Sequence, residues 1–124
     1  MSTSRPIHLD LTRMKFPPMA IVSIMHRASG VILFLLLPFV LYLLEQSLVS
    51  QTTFMQLQQT FASPVMKIMM GLLISAVSFH FLAGIRHMLM DCGVAEGLKS
   101  ARASAYLLMG LEGIIVLMLG VWLW

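Results

Sequence analysis

Three long apolar runs leave this chain few ways to fold. The first extends roughly from Ile21 to Leu44, and its core, Ala28 to Leu44, holds seventeen residues without a charge. The second extends roughly from Pro64 to Met88, and Ile68 to Ile85 gives eighteen residues with one histidine and no formal charge. The third, Ala103 to Trp124, is twenty-two residues broken only by Glu112. A hydrocarbon core ~30 Å thick is crossed by about 20 helical residues, so each run is long enough. Lipid offers the backbone no hydrogen-bond partners, and three spans cannot close a β-barrel, so helices are predicted. The expected fold is an all-α membrane protein: one transmembrane domain over residues 1–124 with spans at about 21–44, 64–88 and 103–124.

Composition supports this. The chain is 59% hydrophobic and 10% charged, whereas soluble domains carry roughly 25% charged residues. Too little polar surface exists to coat a water-soluble globule of this size. The net charge of +3 comes from scattered residues such as Arg5, Arg13 and Lys15, which argues against a nucleic-acid partner. A single cysteine, Cys92, excludes an internal disulfide and any iron–sulfur cluster held by this chain alone. The twelve methionines follow no repeating spacing and read as adaptable packing.

Cations set the expected orientation. Arg5, Arg13, Lys15 and Arg27 cluster at or before the start of span one, and Arg86, Lys99 and Arg102 lie between spans two and three. The first loop, about Glu45 to Ser63, has none, and Lys67 follows it. Seven cations against one put the N-terminus and second loop in the cytoplasm. No cleavable signal or transit peptide is apparent, so span one is expected to act as an uncleaved insertion signal in a bacterial membrane. The stretch QTTFMQLQQT, Gln51–Thr60, reads as an outer loop with room for a short interfacial helix.

Ionisable residues inside spans are costly and mark function by default. His80 lies eight residues inside the cytoplasmic end of span two, or ~12 Å along the axis. His80, Gly84 and His87 share one helix face. An imidazole at that depth can ligate haem iron, with the glycine admitting a flat macrocycle. It can equally hydrogen-bond a neighbouring helix. Both histidines cannot bind one iron, since seven residues separate them by ~10 Å. Ser23, His26, Arg27 and Gly30 share a face at the start of span one. They can hold a quinone headgroup, a haem propionate or a lipid phosphate, or Arg27 can simply snorkel to the surface. Arg86 is most simply an interfacial anchor, with a carboxylate as its candidate partner. Glu112 reads as a protonated acid hydrogen-bonded within the bundle, or alternatively as a proton-handling group. Tyr106, Gly110, Gly113, Leu117 and Gly120 form a stripe expected to be the packing face of span three. Pro38 removes a backbone hydrogen bond within span one and is expected to bend it.

Two segments resemble a known family. RPIHLDLTRMKFPPMAIVSIMHRASGVILF, residues 5–34, is similar to a pattern RP-x-x-LDL…FP…S-I-x-HR-x-SG, and SFHFLAGIRHMLMDCG, residues 78–93, is similar to H-x-x-x-GIRH-x-x-MD. Both belong to the cytochrome b-type C subunit of bacterial succinate dehydrogenase, complex II, and the C-terminal GVWLW resembles that family's end. The resemblance implies an inner-membrane anchor that binds haem b together with a second hydrophobic subunit. It implies His80 as one axial ligand, the other coming from that sister subunit. Ser23 and Arg27 then line a ubiquinone site, and His26, Arg27 and His87 lie near the haem propionates. It further implies an iron–sulfur subunit as a partner, with a flavoprotein that oxidises succinate reached through it. Glu112 has no place in the family pattern. The rival readings are a structural anchor without cofactor and a small transporter subunit, although no span has the paired Gly/Pro breaks of a transport site.

Overall fold

The computed structural model describes residues 15–124. All regular structure among them is helical: α1 (Pro18–Val49), α2 (Gln51–Phe61), α3 (Pro64–Asp91) and α4 (Leu98–Leu123). α1, α3 and α4 are long and apolar enough to cross a membrane. Arg5, Arg13 and the part of the first motif before Lys15 lie outside the described residues.

The helix starts follow local chemistry. Pro18 opens α1 and Pro64 opens α3, where the missing N–H costs nothing. The Ser63 hydroxyl accepts from the Met66 amide and caps α3. α3 ends at Cys92 and Gly93: Gly93 takes φ +82°, and the Val94 amide reaches back to the Leu89 carbonyl at 2.9 Å. That bond closes a left-handed turn that a glycine enters without steric cost.

The helices exceed the expected spans. α1 has 32 residues, or ~48 Å of helix at 1.5 Å per residue, against a core of ~30 Å. Its ends therefore leave the hydrocarbon, or the helix tilts. α1 also continues through Pro38. The Gln51–Thr60 stretch forms a helix of its own, α2. The Ser50 hydroxyl accepts from the Thr53 amide while the Thr53 hydroxyl accepts from the Ser50 amide, both at 3.1 Å. This reciprocal cap starts the helix with no help from tertiary burial. α2 packs on α1 and α3 at one end of the bundle.

α1, α3 and α4 pack around a small core of Val22, Phe79, Ala83, Ala105 and Leu108. The buried positions recur at helical spacing: Ala76, Phe79, Ala83 and Arg86 on α3, and Ala101, Ala105, Leu108 and Glu112 on α4. Alanines bring the two backbones together, as small residues do in lipid. The glycine stripe expected to pack does not. Gly110, Gly113 and Gly120 have nothing near them, and Tyr106 and Leu117 are exposed. Within this chain the packing face of α4 is the alanine face.

Candidate functional site

His26 on α1 stacks on His80 of α3, with ring centroids 4.2 Å apart and planes at 23°. His87, two turns further along α3, tilts against His26 with ring centroids 5.1 Å apart. The three imidazoles form a short column between α1 and α3. The face shared by His80, Gly84 and His87 is thus the face turned to α1. Gly84 leaves room for His26: a Cβ there would lie 3.6 Å from the His26 Nε2. Gly30 does the same for His80, where a Cβ would come within 3.1 Å of the ring.

Each ring nitrogen has a distinct environment. His80 Nδ1 lies 3.1 Å from the Ser29 hydroxyl and 3.2 Å from the His26 carbonyl oxygen. Its Nε2 has no hydrogen-bond partner among the described residues. His26 Nε2 is buried and has none either. Isolated polar atoms in such surroundings are costly unless a ligand or partner meets them. Ser23 is half-buried and Arg27 exposed, both on α1 beside this column.

Arg86 behaves differently from the anchor expected of it. Only 8% of it is exposed. Its Nε donates to the Ser104 hydroxyl at 3.0 Å and a terminal N–H donates to the Ala101 carbonyl at 2.9 Å. No carboxylate pairs with it among the described residues. It points to α4, and ties the end of α3 to the start of α4. Glu112 is the second interhelical tie. Its two carboxyl oxygens lie 2.9 and 3.0 Å from the Ser78 hydroxyl, which also reaches the Ser75 carbonyl at 3.1 Å.

The donor set suits a prosthetic group better than a bare metal ion. No group of three or more His, Cys, Asp or Glu side chains that could hold a metal ion occurs among the described residues. His80 instead presents one imidazole with one nitrogen engaged and one free. Haem takes a single protein ligand on each face of its iron, so one imidazole from this chain fits it.

These features define a small multi-pass helical membrane protein in which His26, His80 and His87 are gathered between α1 and α3. The chain belongs to the succinate dehydrogenase/fumarate reductase transmembrane subunit family, whose model matches residues 1–119. It is 42% identical to the succinate dehydrogenase cytochrome b556 subunit of Coxiella burnetii, over the whole of both chains. It is 29% identical to the succinate dehydrogenase cytochrome b560 subunit of Reclinomonas americana, over 94% of this chain and 85% of the other. The chain is therefore a membrane-anchoring part of an oxidoreductase complex and associates with that complex's other subunits.

Sequence reasoning named Ser23, His26, Arg27, His80 and His87, and the structure brings the three histidines together. It missed Ser29, which touches His80 across 51 positions of sequence. The available signal was local: Ser29 stands three residues after His26, where its hydroxyl can bond back to the His26 carbonyl.

Proposed function

We propose that this chain is the haem b-binding membrane anchor of a succinate:quinone oxidoreductase of the bacterial inner membrane, helping to form its ubiquinone-reduction site. The supporting observation is His80. Its imidazole stands half-buried between two helices, with Nδ1 engaged by α1 and Nε2 free for iron. Both relatives are cytochrome b subunits of succinate dehydrogenase, which supports the same reading.

Three spans offer one suitably placed axial histidine, so the second belongs to a sister anchor subunit. The bundle is then heteromeric, and the exposed faces of this chain are where its remaining helices dock. The iron–sulfur subunit delivers electrons at the cytoplasmic end, and the flavoprotein subunit behind it oxidises succinate. Haem, when bound, supplies reversible one-electron storage beside the quinone.

The chain's own residues bind and orient. His80 would hold the iron of a bound haem through Nε2. His26, whose Nε2 is buried against Gly84, would lie near the haem propionates together with Arg27 and His87. Ser23 donates its hydroxyl to one quinone carbonyl. Arg27 stabilises negative charge on the ring through a charge-assisted hydrogen bond as two electrons and two protons convert ubiquinone to ubiquinol.

Two variants of the purified complex test this. Arg27→Leu should lose quinone reduction but keep succinate oxidation by a soluble artificial acceptor. Retained quinone turnover would remove Arg27 from the site. A dithionite-reduced b-type band should be present, and it should shift or vanish in His80→Ala. Absence of any such band in the wild-type complex would favour a structural anchor.

A further inference from the structure

Hydrogen bookkeeping around His80 leads to one more functional residue. The Ser29 hydroxyl has a single proton. Its shortest contact, 2.7 Å, is to the His26 carbonyl one turn back, and a carbonyl can only accept. That proton is therefore committed to the His26 oxygen. Toward His80 Nδ1, at 3.1 Å, the same hydroxyl can then only accept. The other neighbour of Nδ1, the His26 carbonyl at 3.2 Å, is also only an acceptor. Two acceptors face one nitrogen, so Nδ1 must carry the proton. The neutral imidazole then has its lone pair on Nε2 alone.

The arrangement is built rather than incidental. Ser29 is 6% exposed and Gly30 stands beside the His80 ring, where a side chain would meet it at 3.1 Å. His26 stacks on one face of the ring at 4.2 Å. Ring orientation and tautomer are thus set by contacts from His26, Ser29 and Gly30, little more than one turn of α1. Nothing on α3 itself contributes a hydrogen bond to this nitrogen among the described residues.

We propose that Ser29 is a positioning residue for the His80 ligand: its hydroxyl accepts from Nδ1–H, fixes the tautomer that offers Nε2 to haem iron, and sets the donor strength of that imidazole. The inference rests on the haem reading given above. An acceptor on the distal nitrogen draws the N–H proton away and makes the ligand more basic. A more basic ligand favours ferric over ferrous iron. Ser29 therefore holds the haem potential below the value the His26 carbonyl would set alone.

The test uses the whole purified complex and four variants, read by haem redox titration and by low-temperature electron paramagnetic resonance of the ferric haem. Ser29→Ala should retain haem, shift the midpoint potential positive and alter the ferric g values. Ser29→Thr, which keeps the hydroxyl, should return both toward wild type. Ser29→Cys keeps the side chain's length with a weaker acceptor, should shift the potential in the same direction by less, and decides the matter if the alanine variant does not assemble. His80→Ala is measured in parallel. Wild-type potential and g values in Ser29→Ala, with changed ones in His80→Ala, would overturn the role of Ser29 and leave His80 as ligand. Unchanged values in both would remove His80 from the iron, and the Ser29 role with it.

Discussion

Gly30 shows how little room the site allows. A methyl group at that position would come 3.1 Å from His80 Cε1, tighter than nine in ten real contacts, and His26 stacked on one face of the ring blocks retreat in that direction. Gly30→Ala should therefore push His80 out of register with Ser29. On the haem reading, the expected result is less haem per assembled complex, measured by the reduced-minus-oxidised spectrum against total protein. Normal haem content in Gly30→Ala would mean the ring is held less tightly than the packing indicates. Glu112 presents the opposite case, a costly residue with a modest role. Ser78 has one proton and an acceptor on each side, the Ser75 carbonyl and the Glu112 carboxyl. A carboxyl that keeps its own proton completes the set, donating to Ser78 while Ser78 donates to Ser75. A glutamine amide can do the same. Glu112→Gln should leave assembly and quinone turnover near wild type, and Glu112→Leu should cost only an interhelical bond, about 0.6 kcal/mol on average in a membrane. Loss of turnover in an assembled Glu112→Gln complex would instead assign the acid to proton handling.

At the scale of helices, the two ties between α3 and α4 are unequal. Arg86 uses a fixed fork to reach both Ser104 and the Ala101 carbonyl while lying buried. Lysine cannot reproduce that geometry. Arg86→Lys should lower the thermal midpoint of the complex in detergent, since hydrogen bonds from a charged group contribute about 1.5–3 kcal/mol. Haem content should change less than in Gly30→Ala, because Arg86 faces α4 rather than the histidines. An unchanged midpoint would show that the tie is replaced by solvent or lipid. The same helices mark how far sequence could be read. The spans were legible because lipid demands length and apolarity, and both are countable. The helical nature of Gln51–Phe61 was less so, because its polar residues resemble a loop and its start depends on a serine–threonine cap. The face of α4 that packs within this chain is the alanine face and not the expected glycine stripe. Glycines and alanines both permit close approach, and spacing alone cannot say which stripe faces inward. The site was half legible: the His80–Gly84–His87 face follows from helical periodicity, whereas Ser29 and Arg86 acquire their partners only when separate helices meet.

For the whole molecule, orientation is the largest untested consequence of the charge pattern. The imidazole column, Arg86 and the α3–α4 loop lie at one end of the bundle, and α2, the start of α3 and the C-terminal tryptophans lie at the other. Lys67, the cation that stands apart from the other seven, is at the α2 end, and its ammonium sits 5.4 Å from the centre of the Trp124 ring. A cation over an indole is satisfied at an interface without calling for cytoplasmic placement. The loop end should therefore face the cytoplasm, where the iron–sulfur partner would dock, and α2 should face outward. Thiol labelling can check this, because Cys92 is the chain's one cysteine and is exposed in the α3–α4 loop. A membrane-impermeant maleimide should leave Cys92 unmodified in intact spheroplasts and modify it in inside-out vesicles stripped of the soluble subunits. In a Cys92→Ser background, Gln58→Cys on the exposed side of α2 should show the reverse. Labelling of Cys92 from outside, with Gln58→Cys protected, would invert the chain and place the histidine column on the wrong side of the membrane for electrons arriving from the cytoplasm.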